Sequence, residues 1–97
     1  MKINKKMEGN ELTLALEGRL DTNTAADLEK EVQDLTSVKK LVFDLEKLEY
    51  ISSSGLRILL ACQKQMNYQG KMVIKNVGEG IMEVLEITGF SDILTIE

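Results

Sequence analysis

The sequence predicts an α/β fold in which helices pack against a central mixed β-sheet. Leu12, Leu14 and Leu16 alternate with polar or small residues, which is the period-two pattern of a half-buried strand. Two short apolar runs, residues 41–45 and 71–75, flank a long segment with helical spacing. This arrangement predicts a β-α-β unit with a right-handed crossover. The complete predicted order is β-β-α-β-α-β-α-β.

The first two strands are predicted to form a hairpin, with residues 1–7 beside the leucine strand. Its turn falls at Glu8-Gly9-Asn10, where glycine and asparagine tolerate positive φ. Thr24 is followed three residues later by Asp27, a pattern typical of a helix N-cap with an acid in the first turn. One apolar stripe then predicts a helix of about three to four turns, carried by Ala25, Leu28, Val32 and Leu35.

The second half of the chain continues with residues 41–45 as a strand that is covered on both faces. A helix is expected to start near Leu56 and to end at Gly70, the C-cap before the strand at 71–75. Its inward stripe consists of Leu56, Leu59, Leu60, Gln63 and Met66.

A third helix is predicted from about Gly80 to Gly89, with Phe90 folding back onto it. Beyond it, a last short edge strand is predicted from Ile93, Leu94 and Ile96.

Length and charge restrict the classes of protein that this chain resembles. Its 97 residues contain no proline, linker or repeat, so a single domain over residues 1–97 is expected. The net charge is −4, the 12 basic residues are scattered, and tryptophan is absent, so nucleic acid is not an expected partner. No apolar run is long enough to span a membrane. The lone cysteine and the missing secretory segment predict a cytoplasmic protein.

Several kinds of catalytic site are excluded by residue types alone. The chain has no histidine and one cysteine, so catalytic triads with histidine, imidazole metal sites and cysteine-pair metal sites cannot form. No glycine-rich phosphate-binding motif occurs. Acidic pairs such as Glu46 and Glu49 are expected by chance in a chain with 16 acids, so their spacing does not indicate a catalytic carboxylate pair. Neither an enzyme nor a bound cofactor or metal is expected, Cys62 is interpreted as a structural thiol, and Met66 and Met72 as core residues.

The segment Ile51-Ser52-Ser53-Ser54-Gly55-Leu56-Arg57 is the most informative part of the sequence, because it joins a strand to a helix. One serine suffices as an N-cap. Three serines and a glycine at the carboxyl end of a parallel-type strand lie where open α/β sheets place their sites. Two interpretations remain open on these residues: an extended cap, or a site for an anion or for serine phosphorylation.

The wider segment from Asp44 through Tyr50 to Leu56 resembles the signature of the STAS domain, found in anti-sigma factor antagonists and in sulfate transporters. The family pattern is an apolar strand, a polar turn with leucine, an aromatic-apolar pair, then Asp-Ser-Ser/Thr/Ala-Gly-Leu and a helix. Two further segments are similar to the family: Gly18-Arg19-Leu20-Asp21 with the helix start at Thr24, and Thr88-Gly89-Phe90. The resemblance therefore extends over most of the chain and implies a STAS-type mixed sheet packed with helices.

The resemblance implies a binding module that phosphorylation switches. In that family, the unphosphorylated antagonist binds an anti-sigma factor that is also a serine kinase, and so releases a sigma factor for transcription. Phosphorylation separates the pair, and a metal-dependent serine phosphatase reverses it. Carried over by position, Ser53 is the phosphoacceptor. The implied partner-binding residues are Asp21, Thr22, Asn23, Thr24, Tyr50, Ser52, Ser54, Gly55, Leu56 and Arg57.

One position departs from the family pattern, because Ser52 stands where well-known antagonists carry aspartate. Ser52 and Ser54 are therefore second candidate acceptors beside Ser53. Two other functions are weighed against the switch: a constitutive adaptor in a signalling assembly, in which the serines only cap the helix, and a nucleotide-binding module at the same helix start. The absence of lysine between Ser52 and Arg57 disfavours the last.

Overall fold

Four strands form one mixed sheet in the computed structural model, which describes residues 1–97, and they lie side by side in chain order. The first pair is antiparallel and the other two pairs are parallel. The strands are β1 (Lys2–Glu8), β2 (Glu11–Leu20), β3 (Lys40–Ile51) and β4 (Lys71–Lys75). The helices are α1 (Ala25–Glu31), α2 (Ser53–Gln69) and α3 (Glu79–Ile87), followed by a 3-10 turn at Phe90–Asp92. The predicted mixed α/β sheet is confirmed.

The β1-β2 hairpin has the predicted turn. Glu8 pairs with Glu11, so two residues connect the strands, and Gly9 has φ +61°. Leu12, Leu14 and Leu16 all point into the core from β2. The predicted alternation is therefore correct for this strand, because one of its faces is covered and the other is half-exposed.

Helix α1 is shorter than predicted, because it ends at Glu31 while the apolar stripe continues to Leu35. The Asp34 carboxylate accepts hydrogen bonds from the Thr36 amide at 3.1 Å and the Thr36 hydroxyl at 2.5 Å. Such side-chain turns compete with helical hydrogen bonding. Leu35 is nevertheless buried, since the loop folds inward. Gln69 holds that loop by donating to the carbonyls of Leu35 and Val38.

Strand β3 is longer than the predicted residues 41–45. It has 12 residues opposite the 10 of β2, and the register shifts twice, between Ala15 and Glu17 and between Gly18 and Arg19. Each shift adds one residue to β3, as in a β-bulge. Because of the two extra residues, side chains three positions apart in β3 face the same side of the sheet. Three such residues are buried: Leu45, Leu48 and Ile51.

The predicted last edge strand is wrong. A single parallel bridge joins Ile96 to Ile74, with the Ile74 amide donating to Thr95 and the Glu97 amide donating to Ile74, both at 2.8 Å. The 3-10 turn after Gly89 directs Leu94 into the core and leaves Ile93 about half-exposed. Only residues 95–97 therefore reach the edge of β4.

Candidate functional site

Two turns meet at the carboxyl ends of β2 and β3. These strands are parallel, and Leu20 and Ile51 form their last pair. The Ser52 amide then donates to the Leu20 carbonyl at 2.8 Å, which fixes the β3-α2 turn beside the β2-α1 turn. The predicted site residues on both turns are thus brought together by the parallel pairing of the two strands.

Ser52 is the N-cap of α2. Its backbone is extended, with φ −93° and ψ 172°, and its hydroxyl oxygen accepts a hydrogen bond from the Gly55 amide at 3.3 Å. The helix begins at Ser53, three residues earlier than predicted. Ser53 is exposed and Ser54 is half-buried, and neither hydroxyl has a hydrogen-bond partner within the protein. One serine therefore caps the helix, and the other two hydroxyls remain available.

Gly55 allows α2 to lie directly against the strand ends. A Cβ atom at this position would lie 2.6 Å from Cγ of Leu20 and 3.1 Å from Cγ1 of Ile51. A side chain here would force the packed Leu20 side chain or the first turn of α2 to move. Glycine therefore sets the distance between the serines and the β2-α1 turn.

The β2-α1 turn is held by reciprocal hydrogen bonds between Asp21 and Thr24. The Asp21 carboxylate accepts from the amides of Asn23 and Thr24, both at 3.0 Å. The Thr24 hydroxyl oxygen accepts from the Asp21 amide at 2.9 Å and donates to the Arg19 carbonyl at 2.8 Å. The hydrogen bond from the Thr24 amide is the main cause that lowers the pKa of Asp21, so the turn presents a stable carboxylate.

Thr24 occupies the predicted N-cap position of α1, and Asp27 lies in the first turn as expected, but the Thr24 side chain does not cap the helix. Thr24 already has helical dihedral angles, φ −85° and ψ −16°, and its side chain makes no capping hydrogen bond. The carbonyl of Asp21 instead accepts from the Ala25 amide at 2.8 Å, and its carboxylate binds the amides that precede the helix. The Asp21 carboxylate therefore holds the two residues just before the helix, while the Thr24 hydroxyl bridges the Asp21 amide and the Arg19 carbonyl.

Arg19, which is not among the predicted site residues, stacks on Tyr50 at this edge of the sheet. The Arg19 guanidinium carbon lies 4.2 Å from the centroid of the Tyr50 ring, and both side chains are exposed. The two residues are neighbours only because the second bulge of β3 brings Tyr50 opposite Arg19. An unbulged register would not predict this cation–π contact.

The predicted partner-binding residues do not all reach the surface. Thr22, Asn23, Tyr50 and Arg57 are exposed, and the others on the turns are half-buried, namely Asp21, Thr24, Ser52 and Ser54. Gly55 and Leu56 are buried.

The predicted contact between Leu56 and a partner is therefore corrected. Its side chain is 5% exposed and belongs to the core, because it lies on the same helix face as Leu59 and Met66. Gly55 has no side chain to contact a partner; it contributes to the site by letting α2 pack closely against the strand ends.

A groove of about 670 Å³ separates α1 from α2 and opens beside the two turns. Six of its twelve lining residues are hydrophobic, and Thr22 and Ser54 are among the polar ones. Arg57 and Glu29 are the only charged residues among the twelve that line it. The groove is thus a concave surface with few charges. It lies next to the β3-α2 turn with Ser52, Ser53 and Ser54, which is called the serine turn below.

Cys62 lines the groove but is only 4% exposed, and burial raises the pKa of its thiol to about 12. A neutral buried thiol is a weak nucleophile, which agrees with its predicted structural role. No group of three or more carboxylate or cysteine side chains lies close enough to hold a metal ion. None of the helices is both long and apolar enough to cross a membrane.

The chain matches a known family of protein domains. A family model described as "STAS domain" matches residues 2–97, so the chain belongs to the STAS domain family. This confirms the resemblance that the serine segment indicated.

Named relatives lie among the anti-sigma factor antagonists. The chain is 34% identical to the putative anti-sigma factor antagonist BtrV of Bordetella bronchiseptica, over 99% of this chain and 85% of that protein. It is 28% identical to the anti-sigma-B factor antagonist of Listeria monocytogenes, over 96% and 84%. The solved structure of unphosphorylated SpoIIAA, an anti-sigma factor antagonist, has a TM-score of 0.85 at 16% identity, over 99% of this chain and 88% of that chain.

Proposed function

We propose that this STAS domain protein is an anti-sigma factor antagonist whose binding is switched by phosphorylation of Ser53. Its partner is an anti-sigma factor with serine kinase activity, and a metal-dependent serine phosphatase reverses the modification. The protein acts in the cytoplasm as a binding module rather than as an enzyme. It regulates transcription by holding the anti-sigma factor away from its sigma factor.

One observation supports Ser53 over its neighbours. Ser52 uses its hydroxyl oxygen to cap α2, and Ser54 is half-buried at the groove, whereas Ser53 is exposed and its hydroxyl is free. A kinase needs an accessible hydroxyl that can approach the γ-phosphoryl group of ATP in line. Ser53 meets that requirement without loss of the cap.

Phosphorylation changes the charge of the proposed partner-binding surface, which consists of the serine turn and the β2-α1 turn. A phosphoserine adds about −1.5 to −2 charges to a chain whose net charge is −4. The added charge lies on the turn beside Asp21, whose lowered pKa keeps it ionised at neutral pH. A partner that packs closely on these two turns would have to bury both negative charges, which is unfavourable unless they are paired. The same surface therefore binds when Ser53 is free and releases when it is phosphorylated.

The test uses the kinase of the cognate anti-sigma factor. The protein is incubated with that kinase and ATP, and the phosphate is located by mass spectrometry in the wild type and in Ser53→Ala. Incorporation at Ser53 in the wild type and none in the variant is expected. Incorporation at Ser52 or Ser54 instead would reassign the acceptor.

A charge variant tests the effect on binding. Ser53→Asp should weaken binding to the anti-sigma factor by at least about tenfold in calorimetric titration, since buried like charges cost more than about 1.4 kcal/mol. Ser37→Asp is the matched control, because it adds the same charge at an exposed serine in the α1-β3 loop. Equal binding of wild type and Ser53→Asp would favour a constitutive adaptor.

A further inference from the structure

Arg57 lies one helical turn beyond Ser53 on α2 and has no ionic partner. The three ion pairs of the protein involve other residues, and the single cation–π contact belongs to Arg19. Arg57 is exposed, and no acid occurs in the first turn of α2. Its guanidinium is therefore free to bind an anion that appears nearby.

The spacing between the two residues suits an ion pair. Side chains four residues apart on a helix are neighbours, at about 5–6 Å between their Cβ atoms. An arginine side chain reaches that distance easily, and its planar group forms paired charge-assisted hydrogen bonds with phosphate oxygens. Ser52, which occupies the aspartate position of the family pattern, adds no competing carboxylate to this turn.

Arg57 also supplies the only cation of the α1-α2 groove, where Glu29 is the other charged residue. The two do not form an ion pair, so no bond within the protein keeps the guanidinium in the groove. A single side chain thus lies between the serine turn and the groove.

We propose that Arg57 is the internal ligand of a phosphate on Ser53, and that binding it removes the only cation from the α1-α2 groove. The inference rests on the proposed function, because it takes Ser53 as the phosphorylated residue. Phosphorylation then alters two surfaces at once. The serine turn gains a partly neutralised phosphate, and the groove keeps only the negative charge of Glu29.

The test does not depend on any kinase. Phosphoserine is placed at position 53 during translation, and the second pKa of the phosphate, ordinarily about 6, is measured by ³¹P NMR titration. With Arg57 present this pKa should be lower than in Arg57→Gln by about 0.2–0.4 unit, the effect of one exposed charge pair at this spacing. Arg57→Lys should restore part of the difference, since lysine keeps the charge without the paired hydrogen bonds.

Lys64→Gln is the matched control on the same helix. Position 64 lies about 16 Å beyond Ser53 along the helix axis, which exceeds the screening length of about 10 Å at 0.1 M salt. This variant should leave the phosphate pKa at the wild-type value. Arg19 and Asp21 are present in every variant, so their influence cancels in the comparison.

The groove part of the inference has its own measurement. Nuclear Overhauser contacts from the Arg57 Hδ protons to groove side chains should weaken when position 53 carries phosphoserine, and the Arg57 Nε–Hε signal should shift. An identical phosphate pKa in wild type and Arg57→Gln would overturn the ion pair. Unchanged Arg57 contacts would overturn its departure from the groove. Failure of a kinase to modify Ser53 would instead count against the proposed function, so the failures are distinguishable.

Discussion

Gly70 lies directly against the backbone carbonyl of Lys39, so that a Cβ atom at position 70 would lie 2.0 Å from the Lys39 oxygen. The same carbonyl accepts a hydrogen bond from the Lys71 amide at 2.9 Å. Gly55 makes the corresponding close approach at the other end of α2, against Leu20. Glycines therefore fix both ends of the helix that carries the serine turn, and its position depends on the absence of two side chains.

Gly70→Ala is expected to destabilise the protein by about 1–3 kcal/mol or more, because the added methyl group meets backbone rather than a flexible side chain. Urea unfolding measures the change. Gly80→Ala is the control: position 80 lies inside α3, and a Cβ atom there would have no neighbour within 4 Å. Alanine at position 80 should stabilise the helix by about 0.5–1 kcal/mol. Destabilisation of similar size in both variants would contradict the role of the Lys39 contact.

Ser52→Ala should cost about 1 kcal/mol, because it removes the side chain that accepts from the Gly55 amide. Ser52→Asp should recover that stability, since aspartate is an equally good N-cap and its charge suits the helix N-terminus. Chemical denaturation of the three proteins measures both effects. Ser53→Ala is the comparison variant, and its stability should equal that of the wild type. A larger loss in Ser53→Ala than in Ser52→Ala would show that the cap has been assigned to the wrong serine.

Much of the fold follows from local patterns, but the long β3 strand does not. The nearly continuous apolar run at 41–45 is typical of a strand covered on both faces, whereas Leu45, Leu48 and Ile51 are spaced by three, which does not indicate a strand. Two bulges reconcile that spacing with the sheet; both arise in the pairing with β2, and the second lies beside Gly18, whose φ is +99°. The length of β3 is therefore set by its pairing with β2, and the periodicity of the sequence carries no information on that long-range pairing.

The candidate site was predictable only where it depends on local sequence patterns. The serine segment and the Asp21 turn stand out in the sequence because their residue types suit turns and helix starts. Arg19 does not stand out, since its contact with Tyr50 exists only in the bulged register. The sequence pattern predicts Leu56 on the partner surface, whereas its position on the helix directs it into the core. Which side chains face a partner is set by three-dimensional packing, and adjacency in sequence is a poor guide to it.

Cys62 should react slowly with thiol reagents in the native protein. Burial raises its pKa to about 12, so at pH 8 the thiol is almost entirely protonated as well as inaccessible. Reaction with a disulfide reagent, followed by absorbance, should be at least about a hundred times slower than in the urea-unfolded chain, where the pKa is near 8.5. Fast native labelling would mean that the α1-α2 groove opens to solvent at Cys62.

The Asp21 turn should give the stability of the protein a dependence on acidic pH. Hydrogen bonds, chiefly from the Thr24 amide, lower the folded-state pKa of Asp21 below its ordinary value of 3.8. A carboxyl with a lowered folded-state pKa stabilises the fold at pH values above its unfolded pKa, and this stabilisation is lost as the pH falls through the folded value. Wild type should therefore exceed Asp21→Asn in unfolding free energy at pH 6, and the difference should shrink below pH 3.8.

Asp34→Asn separates the local effect from the functional one. Asp34 also has a lowered pKa, caused mainly by the Thr36 hydroxyl, but it lies in the α1-β3 loop away from the serine turn. Both variants should lose acid-dependent stability, whereas only Asp21→Asn should alter binding of the anti-sigma factor. Titration of each carboxyl by NMR checks the direction of the two pKa shifts directly. A folded-state pKa of Asp21 above 3.8 would contradict the hydrogen-bonded turn, because amide donors can only favour the ionised carboxylate.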